Sequence, residues 1–267
     1  MRKITLLLFA IICYGAGFAQ FKGEATYKTA ASMNVDFDGD MPGVDAEAIR
    51  KQIAQQMQRE YTLTFNTHES SYKRVEELDQ NTSVSGGGVQ IRMTGGEGIT
   101  YRNTKTKVHK ESEDLFGKEF LIVDEPETRD WKILNDFKQI GQYECQKAVF
   151  ESTTRQMTVD SDNGNEVVEK IDTIQVVAWF APSIPVSHGP DSYWGLPGLI
   201  LEVKNGNFSI LCTKVVMNSD EIGEIEIPKK GKKISRTDFD ELREEKLSEM
   251  MNQYQGEGNR TMIRIGG

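Results

Sequence analysis

Apolar and polar residues alternate along most of this chain, which is the pattern of strands that bury one face. Ala25 and Tyr27 alternate with polar neighbours near the start, and Tyr61, Leu63 and Phe65 alternate with threonines further on. Similar short segments recur at 72–75, 99–103, 106–112, 119–123, 131–134, 143–149 and 167–181. The pattern predicts a mainly β, β-rich α+β chain built as an antiparallel meander.

Two stretches instead have apolar residues at the spacing of an amphipathic helix. Asp45 is placed to cap a helix that follows the first strand and ends near Glu60. Thr237 is placed to cap a C-terminal helix whose apolar stripe begins with Phe239. We therefore expect an antiparallel β domain over residues 20–235, followed by a helix and tail over 236–267.

Turn signals add one hairpin and one loop. Asn205–Gly206 predicts a type I′ hairpin. The facing pairs would be Val203 with Phe208, Leu201 with Ile210, and Leu199 with Cys212, all directed to the core. The Gly-rich segment 77–98 predicts a loop, and no helix start follows it, so a phosphate-binding role is not expected.

The first 19 residues have the composition of a secretory signal peptide. Arg2 and Lys3 precede an uncharged apolar run that ends in Gly17-Phe18-Ala19, which predicts cleavage before Gln20. Ile12 precedes Cys13, where a lipid-attachment site needs a small residue, so no membrane anchor is expected. The sequence thus predicts an exported protein, either periplasmic or secreted.

Charge excludes one class of partner. Residues 20–267 carry 32 − 2 = 30 basic and 41 acidic side chains, a formal charge of −11. Such an acidic chain is not expected to bind nucleic acid.

Residues 182–198, here called the arch, lie between two predicted strands and contain four of the seven prolines. Because proline removes an amide donor, the arch cannot continue the sheet and must leave it and return. Two interpretations stay open: a plug on the sheet, or a rigid docking surface for a ligand or partner. The structural positions are Gly189, Pro190, Gly195, Pro197 and Gly198, and the candidate binding residues are Trp179, His188, Tyr193, Trp194 and Leu196.

The residues that could take part in catalysis or bind a metal form no recognised catalytic or metal motif. His68, His109 and His188 lack a partner at metal-ligand spacing, and no Gly-x-Ser-x-Gly accompanies His188. We therefore expect no metal and no cofactor. Cys145 and Cys212 lie on predicted inward strand faces of an exported chain, which favours one disulfide over two separate buried thiols.

The segment from Gly195 to Ile200 reads Gly-Leu-Pro-Gly-Leu-Ile, and residues 140–148 carry a Gly-x-Tyr-x-Cys-x-Lys-Ala block. Over roughly 131–214 the chain resembles the GLPGLI family of secreted, Porphyromonas-type proteins, whose function is not established. That family is similar in pattern to the curved antiparallel sheets, or half-barrels, of LolA-type lipoprotein carriers.

The resemblance implies a non-catalytic envelope protein, either a receptor accessory or a periplasmic carrier. Its expected partners are an envelope protein such as a TonB-dependent receptor, or an apolar small molecule or lipid. A hydrolase that uses carboxylates or His188, and a structural scaffold, are the alternatives.

Overall fold

The structure, a computed structural model, describes residues 21–31, 58–75, 83–86, 89–92, 98–160 and 166–255. These residues form strands and one helix, α1 (Arg236–Gln255). The strands are β1 (Lys22–Ala31), β2 (Glu60–Asn66), β3 (Glu69–Arg74), β4 (Ser83–Gly86), β5 (Val89–Arg92), β6 (Ile99–Asn103), β7 (Val108–Leu115), β8 (Lys118–Asp124), β9 (Lys132–Ile140), β10 (Tyr143–Asp160), β11 (Glu166–Ala181), β12 (Leu199–Asn205), β13 (Phe208–Met217) and β14 (Lys232–Ile234).

Twelve of these strands form one open sheet in the order β14-β8-β7-β6-β3-β2-β1-β13-β12-β11-β10-β9. Neighbouring strands are antiparallel except β14 and β8, which are parallel. The strands β4 and β5 form a separate hairpin. The mainly β, antiparallel prediction is confirmed.

The core lies on the sheet face that we call the inner face. On β1, Ala25 and Tyr27 are fully buried, and the register places them opposite Leu63 and Tyr61 of β2. The same alternation continues through β12 and β13, where Val203 faces Ile210. Each large apolar side chain buried this way contributes about 1.5 to 3 kcal/mol.

Helix α1 packs on the inner face at the β8 side of the sheet. Phe239 packs edge to face against Phe120, with ring centroids 5.5 Å apart. The cap is Ser235 rather than the predicted Thr237, because the Ser235 hydroxyl accepts a hydrogen bond from the Asp238 amide at 3.1 Å. Within the described residues no helix combines the length and apolar character needed to cross a bilayer.

The predicted β12–β13 hairpin forms with a different register. Val203 pairs with Ile210 and Asn205 with Phe208, so the turn residues are Gly206 and Asn207. Asn205 stays in the strand because its amide donates to the Tyr193 hydroxyl at 3.0 Å. The shift moves each partner by two residues, and the predicted core face is therefore preserved.

Three other predictions differ from the structure or fall outside it. The Gly-rich segment predicted as a loop contains the β4–β5 hairpin. The helix predicted from Asp45 and the predicted signal peptide lie outside the described residues, and Glu60 begins strand β2.

Candidate functional site

The arch leaves the sheet after β11 and folds back onto the inner face before β12. Its backbone is tied to itself and to β12, since the amides of Leu199 and Ile200 donate to the carbonyls of Ile184 and His188 at 3.0 and 3.1 Å. Two glycines permit this close packing. A Cβ atom on Gly189 would lie 2.5 Å from the Tyr193 carbonyl oxygen, and one on Gly198 would lie 2.4 Å from that of Ala181.

Three of the candidate binding residues are packed into the protein. His188 is 0% exposed, Leu196 is 1% exposed and Tyr193 is 6% exposed. The Tyr193 ring lies 6.4 Å from that of Phe150, and His188 packs beside Phe65. At these positions the arch is a plug on the inner face.

His188 is held as a neutral imidazole. Its Nε2 donates to the Asn66 carbonyl at 3.0 Å, and its buried Nδ1 has no hydrogen-bond partner. Burial, with the nearby charge of Arg102, lowers the pKa of His188 to about 4. A substrate outside the protein cannot reach this ring, so the structure offers no support for His188 as a catalytic base.

The two tryptophans among the candidates are partly exposed and lie on different surfaces. The Trp194 indole donates to the Glu127 carbonyl at 2.8 Å, and Arg102 lies 5.2 Å from its ring centroid. Trp179 alternates with the inward-facing Ala178 and therefore faces the other side of the sheet, where Lys138 lies 4.5 Å from its ring. The structure does not bring the five candidates onto one surface.

The remaining arch positions shape the backbone. Gly195 adopts a φ of +96°, which only glycine adopts easily. The Pro190 carbonyl accepts the Tyr193 amide at 3.0 Å and so closes a tight turn. Pro190 is buried, whereas Pro197 is exposed.

Cys145 and Cys212 are free buried thiols, so the disulfide prediction is not supported. They lie on β10 and β13, and β11 and β12 intervene between these strands. A disulfide needs Cα atoms within about 7 Å, which is less than three strand spacings. Burial raises the pKa of Cys145 to about 11 and that of Cys212 to about 12.

A cavity of about 160 Å³, here called the inner cleft, opens beside the arch. Its walls come from six strands that are adjacent in the sheet, β7, β6, β3, β2, β1 and β13, and from Asp191 of the arch. Thr100 lies on its floor, and Phe208 and Ile210 provide apolar surface.

One wall of the inner cleft is aromatic. The rings of Tyr61 and Tyr72 are stacked, with centroids 4.9 Å apart and planes 6° from parallel. Tyr27 supports Tyr72 edge to face at 6.2 Å, and its hydroxyl donates to the Ile200 carbonyl at 2.8 Å. Burial and the nearby Asp191 raise the pKa of Tyr72, so its hydroxyl stays protonated.

Two glutamates, Glu111 and Glu113, also line the inner cleft, and their carboxyls differ in protonation. Burial opposes ionisation of Glu111, but a hydrogen bond with His109 and the charge of the contacting Arg236 lower its pKa to about 2. Burial together with a hydrogen bond to the ionised Glu111 raises the pKa of Glu113 to about 7. Near neutral pH Glu113 therefore holds a proton more readily than Glu111 does.

Asp191 of the arch is the third acidic residue of the inner cleft. Burial raises the pKa of its carboxyl, and Glu111 adds to the effect. Its carboxyl group is surrounded by protein atoms, although the residue as a whole is exposed to solvent. Its backbone has a φ of +52°, and its carbonyl accepts a hydrogen bond from Arg102 at 3.0 Å.

Sequence reasoning did not select Glu111, Glu113, Asp191 or the tyrosine pair. A signal was present in β7, where His109, Glu111 and Glu113 occupy alternate positions and so share one strand face. Charged residues in phase with the inward positions of neighbouring strands are a mark of a functional face. Within the described ranges no group of three or more histidine, cysteine or acidic residues could hold a metal.

A second, wider cleft of about 710 Å³ lies at the β2–β3 turn. Lys22, His68, Glu69, Lys105 and Glu224 line it with charges of both signs. The mixture of signs favours no single ligand class.

The comparisons with known proteins place the arch within a recognised segment. Residues 131–202 match the family model described as "Protein of unknown function (Porph_ging)". This segment begins just before β9 and ends in β12, so it contains the arch and four neighbouring strands. No curated protein matches the chain.

Solved structures of PNGF-II in space groups P21 and C2 are similar to the chain at 12% sequence identity and a TM-score of 0.48. The similarity covers 83% and 84% of this chain. It spans only 33% and 32% of those structures, about a third of their length.

Proposed function

We propose that this protein is an exported, non-catalytic binding module of the GLPGLI type that holds a small ligand in the inner cleft. The observation that carries the proposal is the cleft itself, a cavity walled by six adjacent strands and edged by the arch. A cavity that combines apolar surface with a few polar groups is the usual form of a ligand site.

The arch supports this function as a structural part. Because His188, Tyr193 and Leu196 are buried, these side chains are not available for docking, whereas Asp191 of the arch lines the cleft. The size of the cleft limits the ligand. A cavity of about 150 Å³ holds one benzene ring, so only a compact molecule or the head group of a larger one fits.

Export remains a proposal that rests on the composition of the first 19 residues. A carrier role of LolA type and a TonB-dependent receptor as partner are proposals that rest on the sequence resemblance. They are compatible with a small-ligand site, since binding residues are often held by a rigid scaffold. A lipid would enter the inner cleft by its head group only.

Capture of small molecules from an envelope extract tests the binding function. The purified protein, immobilised, should enrich a compound that mass spectrometry identifies. Thr100→Phe fills the cleft and should abolish the enrichment, whereas Thr213→Phe, at an exposed position, should leave it unchanged. Equal capture by all three proteins, or capture by none, contradicts the proposal.

A second candidate is a hydrolase that uses the paired carboxylates. The observation in its favour is the divergence between Glu111 and Glu113, one ionised and one carrying its proton near neutral pH, as in acid–base pairs. Hydrolysis of chromogenic esters or glycosides by the wild type, lost in Glu113→Gln, would support it. Absence of turnover across such a panel rejects this candidate and leaves the binding function standing.

A further inference from the structure

We infer that the inner cleft binds a small organic cation, an alkylammonium or guanidinium group, between the stacked Tyr61–Tyr72 pair and the carboxyls of Glu113 and Asp191. This inference rests on the proposed function, because it names the ligand class of the same cleft. It is carried by the shape of the cavity, the composition of its walls and the balance of charge within it.

Size and wall chemistry point to this class. The volume of about 160 Å³ suits a group of a few heavy atoms. Tyrosine rings attract cations, and both rings of the stacked pair line the cavity. The carboxyls of Glu113 and Asp191, which line it too, supply acceptors for the N–H groups of an ammonium or guanidinium ion.

The charge balance leaves room for a cation. Glu111 is already neutralised by its ion pair with Arg236. Within the described segments no salt bridge joins Glu113 or Asp191 to a lysine or arginine. Arginines act on them only from a greater distance, Arg236 and Arg243 on Glu113, and Arg102 and Arg129 on Asp191. The pKa of Glu113 is raised, so its carboxyl ionises more readily when a positive charge lies beside it. A bound cation supplies that charge.

Proton release on binding follows from the same balance. The groups that act on Glu113 are Glu111, which opposes its ionisation, and Arg236 and Arg243, which favour it. A cation beside Glu113 adds to the second set and lowers its pKa from about 7. Binding should therefore tighten several-fold from pH 6 to pH 8 and release a proton at pH values near 7.

Calorimetric titration with butylammonium, 1-butanol and butyrate tests the inference, because the three probes share one carbon chain and differ in charge. Butylammonium should bind saturably to the purified protein, and butyrate should not bind. The proton count comes from repeating the titration in buffers of different ionisation enthalpy. Equal binding of the three probes, or binding of butylammonium that does not change with pH, overturns the inference.

Variants locate the site. Glu113→Gln, which keeps the shape and removes the charge, should weaken butylammonium binding at least ten-fold. Glu119→Gln, an exposed position on the neighbouring strand β8, is the matched control and should bind as the wild type does. Tyr61→Leu should weaken binding, while Tyr61→Phe, which keeps the ring, should retain it. An unchanged affinity in Glu113→Gln, with the fold intact by circular dichroism, contradicts the inference.

The two proposals fail in different ways. Cleft-dependent capture of a neutral or anionic compound, with no butylammonium binding, overturns the cation inference alone. Capture that is insensitive to Thr100→Phe overturns the binding function itself.

Discussion

A single histidine links the stability of the arch to pH. His188 has a pKa of about 4 in the folded protein against an ordinary value of 6.5, because burial disfavours its charged form. Above pH 6.5 the ring is neutral in both the folded and unfolded states, and its contribution is constant. Below pH 6.5 the unfolded state takes up the proton first, so stability falls as the pH drops towards 4.

The expected loss is up to about 3 kcal/mol between pH 6.5 and 4. Urea unfolding across this range should show the decline, and an NMR titration of the imidazole should give its folded pKa directly. His68→Gln, at an exposed position, is the control and should not alter the decline. An imidazole that titrates near its ordinary value in the folded protein would contradict the burial argument.

Gly189 tests whether the arch is packed as tightly as the geometry indicates. In Gly189→Ala the new Cβ meets the Tyr193 carbonyl and the Ile200 side chain below 3.0 Å, so backbone must move. We expect a loss of about 1 to 3 kcal/mol in the free energy of unfolding. Gly223→Ala is the control, since no atom lies within 4 Å of its added Cβ. Equal stability of the two variants would show that the arch backbone shifts to accommodate the added Cβ at little cost in free energy.

At the scale of elements, strand order decides the state of the cysteines. Cys145 on β10 and Cys212 on β13 are separated by two strands and remain thiols. Alkylation of the unreduced, unfolded protein should modify both residues, and mass spectrometry of their peptides should show it. In the folded protein both should react slowly, because burial raises their pKa values to about 11 and 12. A peptide pair joined by a disulfide would contradict the structure.

Local patterns predicted most individual elements. Alternation identified β1, β2 and β13, and amphipathic spacing identified α1 with its buried Phe239. The β12–β13 turn was displaced by one residue, because the Asn205 side chain is used in a hydrogen bond to Tyr193 that no local rule contains. Local chemistry thus fixes the element, while a tertiary contact fixes its register.

The candidate site was harder to predict because it forms between distant segments. Tyr72 and Asp191 meet only when the arch folds over β3, and nothing in either segment indicates that contact. The aromatic and proline-rich composition of the arch left a plug and a docking surface open, and the structure buries His188 and Leu196. Composition does not tell a rigid plug from a rigid binding loop.

At the scale of the molecule, β1 joins two halves of the sheet that are far apart in sequence. On one side lie β2, β3, β6, β7, β8 and β14, and on the other lie β13 to β9. Pairing of Ala25 with Val215 spans most of the chain, which is why sequence patterns did not predict it. The two halves share one core through Ala25 and Tyr27 and should unfold together.

Tyr27 allows this cooperativity to be tested with a small change. Its buried hydroxyl donates to the Ile200 carbonyl at 2.8 Å and so links the central strand to the end of the arch. Tyr27→Phe removes the donor and leaves a buried carbonyl without it, which should cost about 1 to 3 kcal/mol.

Tryptophan fluorescence reports only Trp131, Trp179 and Trp194, all in the half that contains β9 to β13, whereas circular dichroism reports every strand. In guanidinium unfolding both signals should shift by the same amount in the variant, because the halves share a core. Separate transitions for the two signals, or a shift confined to fluorescence, would mean that β1 joins two units that unfold independently.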